Sequence, residues 1–213
     1  MLLPLALAIS TVLSAQGAWL SAWGGGGVGF YDGSDGVGSE WVTGVRFGVD
    51  LDPSVRVLLG LEYGENLFRF GRAVWTDSSV EDKYTYRGRE LHLQMLFAFR
   101  LAEDEKQETR LFVGPELQLG SLRIERESIT QGITSVGDPM GNEENTGGLR
   151  FGLRHARNIQ GPLWVCVEPW VGLSLGGTRS DVTTRPTDLP MRVATAGVLL
   201  GLELGPRTTP KPQ

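Results

Sequence analysis

Apolar and polar residues alternate with a period of two along most of this chain, and that spacing limits its fold more than any other feature. The alternation is clearest in VRVLLGLEYG, where Val55, Val57, Leu59, Leu61 and Tyr63 fall on one face and Arg56, Leu58, Gly60, Glu62 and Gly64 on the other. A strand turns successive side chains to opposite sides, so the spacing predicts a β-strand with one apolar face. The pattern returns over Trp23–Phe30, Trp41–Asp50, Arg89–Phe99, Thr109–Gly120, Gly148–His155, Leu163–Leu175 and Val193–Leu204. Such faces suit either a half-buried sheet in water or a membrane barrel with lipid outside and polar groups within.

Three features choose the membrane. The strands number eight, and an even number of antiparallel strands closes with both ends on one side. Connections of about 10, 20, 24 and 15 residues follow the odd strands and about 4, 9 and 6 the even ones, matching long outer loops and short periplasmic turns. The two longest are read as polar loops over Glu65–Tyr84 and Ile124–Gly147. The outward positions of strands two to eight carry no charge at their centres, and Arg89 and His155 share that parity only at strand ends. The expected fold is therefore all-β: an eight-stranded antiparallel transmembrane β-barrel, an up-and-down meander spanning residues 18–205.

Met1–Leu13 is almost wholly apolar and is followed by small residues at Ser14, Ala15, Gly17 and Ala18, which predicts a signal peptide over residues 1–17. A buried first strand or an uncleaved anchor is the alternative. Residues 206–213 read as a disordered tail, because prolines cannot extend a ladder. A formal charge of -5 gives no broad attraction to nucleic acid. One cysteine, Cys166, excludes an intramolecular disulfide framework.

The inward parity carries Arg46, Arg56, Glu62, Glu90, Gln94, Glu116, Gln118, Arg150, Arg154, Glu168 and Glu203 among many of the thirty glycines. Eight strands leave an interior just wide enough for side chains to fill, and buried charges of both signs must pair there. We expect an interior network of Arg46, Glu62, Glu90, Glu116, Arg150, Arg154, Glu168 and Glu203. Glu62, Glu116 and Glu168 are expected in one layer, with Arg46 and Arg150 as partners. Paired carboxylates can act as acid and base, but acids recurring among arginines on several strands point to structural pairing instead. His92 and His155 lie far apart and form no metal-site spacing with Cys166, which reads as an interior filler. WGGGGVG lacks the following helix and Lys-Ser/Thr ending of a phosphate loop and reads as a strand or bulge. No catalytic, cofactor or metal residue is expected.

Trp41 and Tyr63 are expected near the outer interface and Phe99 toward the periplasm, where aromatic rings sit or pack as core. Pro115 and Pro169 fall inside strands and should cause a bulge or local break.

The elements GLEYG, GPELQLG, LRFGLR and PWVGLSLGG, placed after a leader and spread over eight strands, resemble the outer-membrane barrels of the PorT-like families and, more distantly, the OmpA-type barrel. The resemblance spans about Trp23 to Leu204 and includes the Pro-Glu-Leu of Pro115, Glu116 and Leu117. It implies an outer-membrane protein of a Gram-negative-type envelope, with membrane lipids and the outer-membrane assembly machinery as partners. Known members end in an aromatic residue, where this chain has Leu204. The expected role is structural or accessory, with outer loops that contact a surface ligand or partner protein. A narrow pore is the alternative, followed by a lipid-modifying enzyme and a secreted soluble binding barrel.

Overall fold

In hydrocarbon a strand has no water to bond its backbone, so its edges must pair until the sheet closes on itself. The computed structural model describes residues 17–31, 37–73, 80–130, 133–179 and 192–205 and shows that closure. Most of the expected leader, the tail, and loop residues 32–36, 74–79, 131–132 and 180–191 lie outside the described residues. The strands are β1 (Ala18–Tyr31), β2 (Val37–Asp52), β3 (Val55–Ala73), β4 (Val80–Glu103), β5 (Gln107–Thr130), β6 (Ile133–Val136), β7 (Met140–Gln160), β8 (Leu163–Arg179) and β9 (Arg192–Leu204). Each barrel strand pairs antiparallel with its neighbours in sequence, and β1 closes the ring against β9 from Leu20↔Leu204 to Tyr31↔Arg192. β6 stands apart from the eight. It pairs with Glu127–Thr130 at the top of β5, where β5 has parted from β7.

The short turns are built by side chains that accept or donate in place of the missing ladder. Asp52 Oδ1 accepts from the amides of Ser54 (2.6 Å) and Val55 (3.1 Å) and from the Ser54 hydroxyl (2.5 Å), which holds its carboxyl below the usual range. Asp104 Oδ1 does the same for the amides of Lys106 and Gln107. At the third turn Asn158 Nδ2 donates to the carbonyls of Gly161 and Leu163, and Gly161 takes φ 56°. The first two are Asx-type turns, in which a carboxylate accepts from the amide two residues on, and in the third the Asn158 amide donates across the turn instead.

The outer connections correct the expected reading. Most of Glu65–Tyr84 and Ile124–Gly147 is strand, not loop: β3 continues to Ala73, β4 begins at Val80, and β5 runs to Thr130. The period of two is obscured there because no hydrocarbon demands an apolar face, yet the backbone ladder persists from Arg69↔Thr85 to Ala73↔Glu81. The first strand also begins earlier than expected, at Ala18. Its four glycines form a regular ladder, and the irregularity falls at Phe30/Tyr31. Gly25 is required by close approach: a Cβ would lie 2.1 Å from the Val198 carbonyl oxygen.

Both prolines interrupt a ladder without shifting it. Between β4 and β5 the pairing passes from Gln94↔Glu116 to Phe97↔Val113, and between β7 and β8 from Gly152↔Trp170 to His155↔Val167, with register unchanged. Each proline keeps its pairing on the other side, Pro115 with Leu149 and Pro169 with Val198. The expected disturbance is thus a local break, and neither site bulges.

Leu91, Leu93, Met95, Phe97 and Phe99 on β4 and Leu111, Val113, Leu117 and Leu119 on β5 are exposed and outward. Nine residues of β4 cover roughly 27 Å along the strand, most of an apolar band about 25 Å tall once tilted. Trp41 and Tyr63 stand at the long-hairpin end of this belt and Phe99 at the short-turn end. No helix among the described residues is long and apolar enough to cross a membrane. Leu59, 53% exposed at mid-belt, tests this directly. Leu59→Arg should destabilise the protein folded in vesicles by roughly 2–4 kcal/mol, read from urea unfolding. A variant as stable as the parent, and soluble without lipid, would show that water covers this face.

Candidate functional site

The parity that turns leucines to lipid turns the charged residues into the barrel, where they are stacked in three layers. The middle layer holds Arg46, Glu62, Glu116, Arg150 and Glu168. Arg46 bonds Glu168 at 2.6 Å and Glu62 at 3.1 Å, and Arg150 bonds Glu62 at 2.6 Å and Glu116 at 3.1 Å. Glu62 accepts a further bond from Trp23 Nε1 at 2.9 Å and Glu116 one from Gln94 at 2.9 Å. The guanidinium of Arg46 lies 4.1 Å over the Trp23 ring and that of Arg150 4.0 Å over Trp170. Gly60 makes room for this layer, since a Cβ there would meet Gln94 Oε1 at 2.9 Å and Arg46 Cγ at 3.1 Å.

The layer nearer the short turns holds Asp50, Arg56, Glu108, Arg110, Arg154 and Glu203. Arg56 reaches Asp50 at 2.7 Å, Glu108 at 3.4 Å and Glu203 at 3.5 Å. Arg110 pairs with Glu108 at 2.6 Å, and Arg154 bridges Glu108 at 3.0 Å and Glu203. Trp19 closes this end, its Nε1 donating to Asp50 at 2.7 Å and its ring 3.7 Å under the Arg56 guanidinium. Leu58, Leu96, Ala98, Phe112 and Leu199 belong to the apolar cluster inside the barrel, together with Trp23 and Trp170 of the middle layer.

The layer nearer the long hairpins is built on Arg192, which bonds Glu90 at 2.5 Å, also bonds Gln118, and lies 3.7 Å from Glu40. Asn66 donates to Glu90 at 2.6 Å. His92 connects this layer to the middle one, with Nε2 3.1 Å from Glu90 and Nδ1 3.3 Å from Glu116. Phe68, Tyr84, Tyr86, Leu122 and Ile124 form a buried cluster at this end, and Tyr31 stacks on Phe68 at 4.0 Å.

Of the eight expected network residues, five share the middle layer, Arg154 and Glu203 sit in the layer by the short turns, and Glu90 in the one by the hairpins. Glu40, Glu108 and Arg192 were missed because they fall in stretches read as connections, and Arg110 was passed over at the start of its strand. The parity of Arg46 extends to Glu40 and that of Glu116 to Glu108, so a longer strand assignment finds these two, while Arg110 carries the parity of Glu116 within the strand already assigned. Arg192 is not found this way, since the irregular pairing at Phe30/Tyr31 breaks the alternation beside it. Cys166 is buried and free, and His155 lies on the outer surface against Thr109 at 2.9 Å.

Two groups, Glu40 with Glu90 and His92, and Glu62 with His92 and Glu116, bring carboxylate and imidazole atoms within 4.8 Å of one another. Arginines occupy the carboxylates of both: Arg192 on Glu90, and Arg150 on Glu62 and Glu116. Three interior cavities among the described residues, beside these layers, are each about 10 Å³, room for about one water. The arrangement can therefore hold charge and bond water.

Compared by sequence, the chain matches no family profile and no characterised protein. Its fold is similar to that of a major outer membrane protein from Thermus thermophilus, at 14% identity over 88% of this chain and 98% of that one, with a TM-score of 0.49. It is also similar to Neisserial surface protein A, at 10% identity over 88% and 96% with a TM-score of 0.39. Ail, the attachment invasion locus protein of Yersinia pestis, is similar at 10% identity over 88% and 97%, with a TM-score of 0.39. At these identities the likeness is one of fold.

Glu62 is fully buried and serves both Arg46 and Arg150. Glu62→Ala leaves two guanidiniums short of a partner and should cost about 3–5 kcal/mol, measured as the urea midpoint in vesicles. An unchanged midpoint would show that water reaches this layer.

Proposed function

We propose that the protein is an outer-membrane barrel with a closed body, a structural or accessory element that anchors and presents the long outer hairpins. The observation that carries this reading is the filled interior: three charge-paired layers, with an aromatic cluster at the hairpin end and Trp19 at the other. Eight strands enclose little width to begin with, and the arginines, each spanning two or three carboxylates, cross what there is. In this reading the buried carboxylates are ion-pair partners rather than acid and base, and the protein has no enzymatic activity.

The strand elements GLEYG, GPELQLG and PWVGLSLGG support kinship with the PorT-like families as the finer reading, with the OmpA-type barrel more distant. The partners that follow are membrane lipids around the belt, the assembly machinery that inserts the strands, and a surface ligand or protein at the hairpins.

A narrow pore is the competing function, and planar-bilayer recording separates the two. Purified protein should give no conductance, or small intermittent events. Sustained, sizeable currents from the wild-type protein would replace the closed barrel with the pore.

A further inference from the structure

Immediately above the apolar belt, the outer face of the sheet forms a groove of about 1340 Å³ that crosses β2, β3, β4, β5 and β7. It is lined by Trp41, Glu65, Leu67, Arg87, Arg89 and Arg123, among others. These residues share the outward parity of the belt leucines, so the groove opens sideways, away from the barrel interior. The cross-strand rows fix its height: Tyr63, Leu91 and Leu119 pair in the last apolar row, and Glu65, Arg89 and Ser121 pair in the next. The groove therefore sits where hydrocarbon gives way to head groups.

Its charge pattern is unusual for a sheet. Arg87 and Arg123 are directly opposite each other on β4 and β5, an arrangement in which like charges repel. Their side chains are 59% and 61% exposed, and both turn toward the single carboxylate of Glu125, at 3.9 Å and 3.2 Å. Arg89, 74% exposed, lies 3.7 Å from Glu65, beyond hydrogen-bond length. Three guanidiniums are thus gathered on one exposed face at head-group height. An anion seated between Arg87 and Arg123 would relieve their repulsion, and guanidinium forks match phosphate oxygens in geometry. Glu65, Glu125 and Glu143 line the same groove and offer acceptors for hydroxyl or ammonium groups beside the phosphate. Trp41 and Leu67 supply apolar surface continuous with the belt below.

We propose that this groove binds the phosphate-bearing head group of a lipid in the outer leaflet, with Arg87 and Arg123 on the phosphate and the acyl chains lying along the belt. The proposal rests on the membrane reading above. The folded protein in neutral detergent micelles is titrated with lipid A, a glycolipid carrying two phosphates, and complexes are counted by native mass spectrometry.

Wild type should bind one lipid A, and lipid A stripped of phosphate should bind roughly tenfold more weakly, the loss expected when charge-assisted bonds go unmade. Arg87→Gln with Arg123→Gln should weaken lipid A binding by a similar factor while keeping the heat-dependent gel mobility of the folded barrel. Arg157→Gln, at the short-turn end, should bind as wild type does. Equal binding by the double variant, or by the stripped lipid, would overturn the site. Full displacement of lipid A by inorganic phosphate at equal concentration would assign the groove to a free anion instead. A protein that does not enter phosphatidylcholine vesicles at all would remove the membrane reading and this site with it, an outcome separate from the others.

Discussion

The closed hydrogen-bond ladder is the constraint on which everything else in this molecule depends. Hydrocarbon satisfies no amide, so a sheet that crosses a membrane must pair its first strand with its last. Here β1 and β9 do so over their full shared length, and Gly25 allows the approach by presenting no side chain to the β9 backbone. Pro115 and Pro169 show the tolerance of the ladder. Each is exposed on the outer face, each removes two pairs on one side, and neither shifts the register, because the ladder on its other side is continuous.

Closure creates an interior that an eight-stranded sheet must fill with side chains from alternate positions. The belt face is given to apolar residues, so the remaining parity is free to be polar, and among the described residues six buried arginines meet six buried glutamates there. Their pairing is cross-barrel: Arg46 on β2 reaches Glu168 on β8, and Arg150 on β7 reaches Glu62 on β3. Such pairs tie strands that share no ladder, and they do so only in one register, since a slip of one residue would turn every charge to lipid. Tryptophans stacked on three of these arginines fill the space that glycines leave. Buried ion pairs of this kind add little net stability, because the cost of desolvating both charges offsets most of their attraction.

In the proposed closed-barrel reading, the functional weight moves to the ends of the barrel. The hairpins above the belt continue as paired strand well past the last apolar row, so the surface they present is a ladder-braced sheet instead of loose loops. The arginine-lined groove lies where those hairpins leave the apolar belt, on rows that β4 and β5 share.

The sequence by itself determined the number of barrel strands, the parity of each face, which connections are long and which short, and five members of the middle charge layer. It did so because a period of two is a local property, enforced wherever one face meets hydrocarbon. Above the belt that enforcement ends, so the continuation of β3, β4, β5 and β7 had no apolar signature and read as loop. Which charges meet was also not local. Arg154 selects Glu108 and Glu203 over Glu168, and Arg192 enters the interior, through the relative heights of strands that the tilt of the closed barrel fixes. The tertiary structure alone decided those partners, because cross-barrel distance depends on register around the whole ring and not on spacing along any one strand.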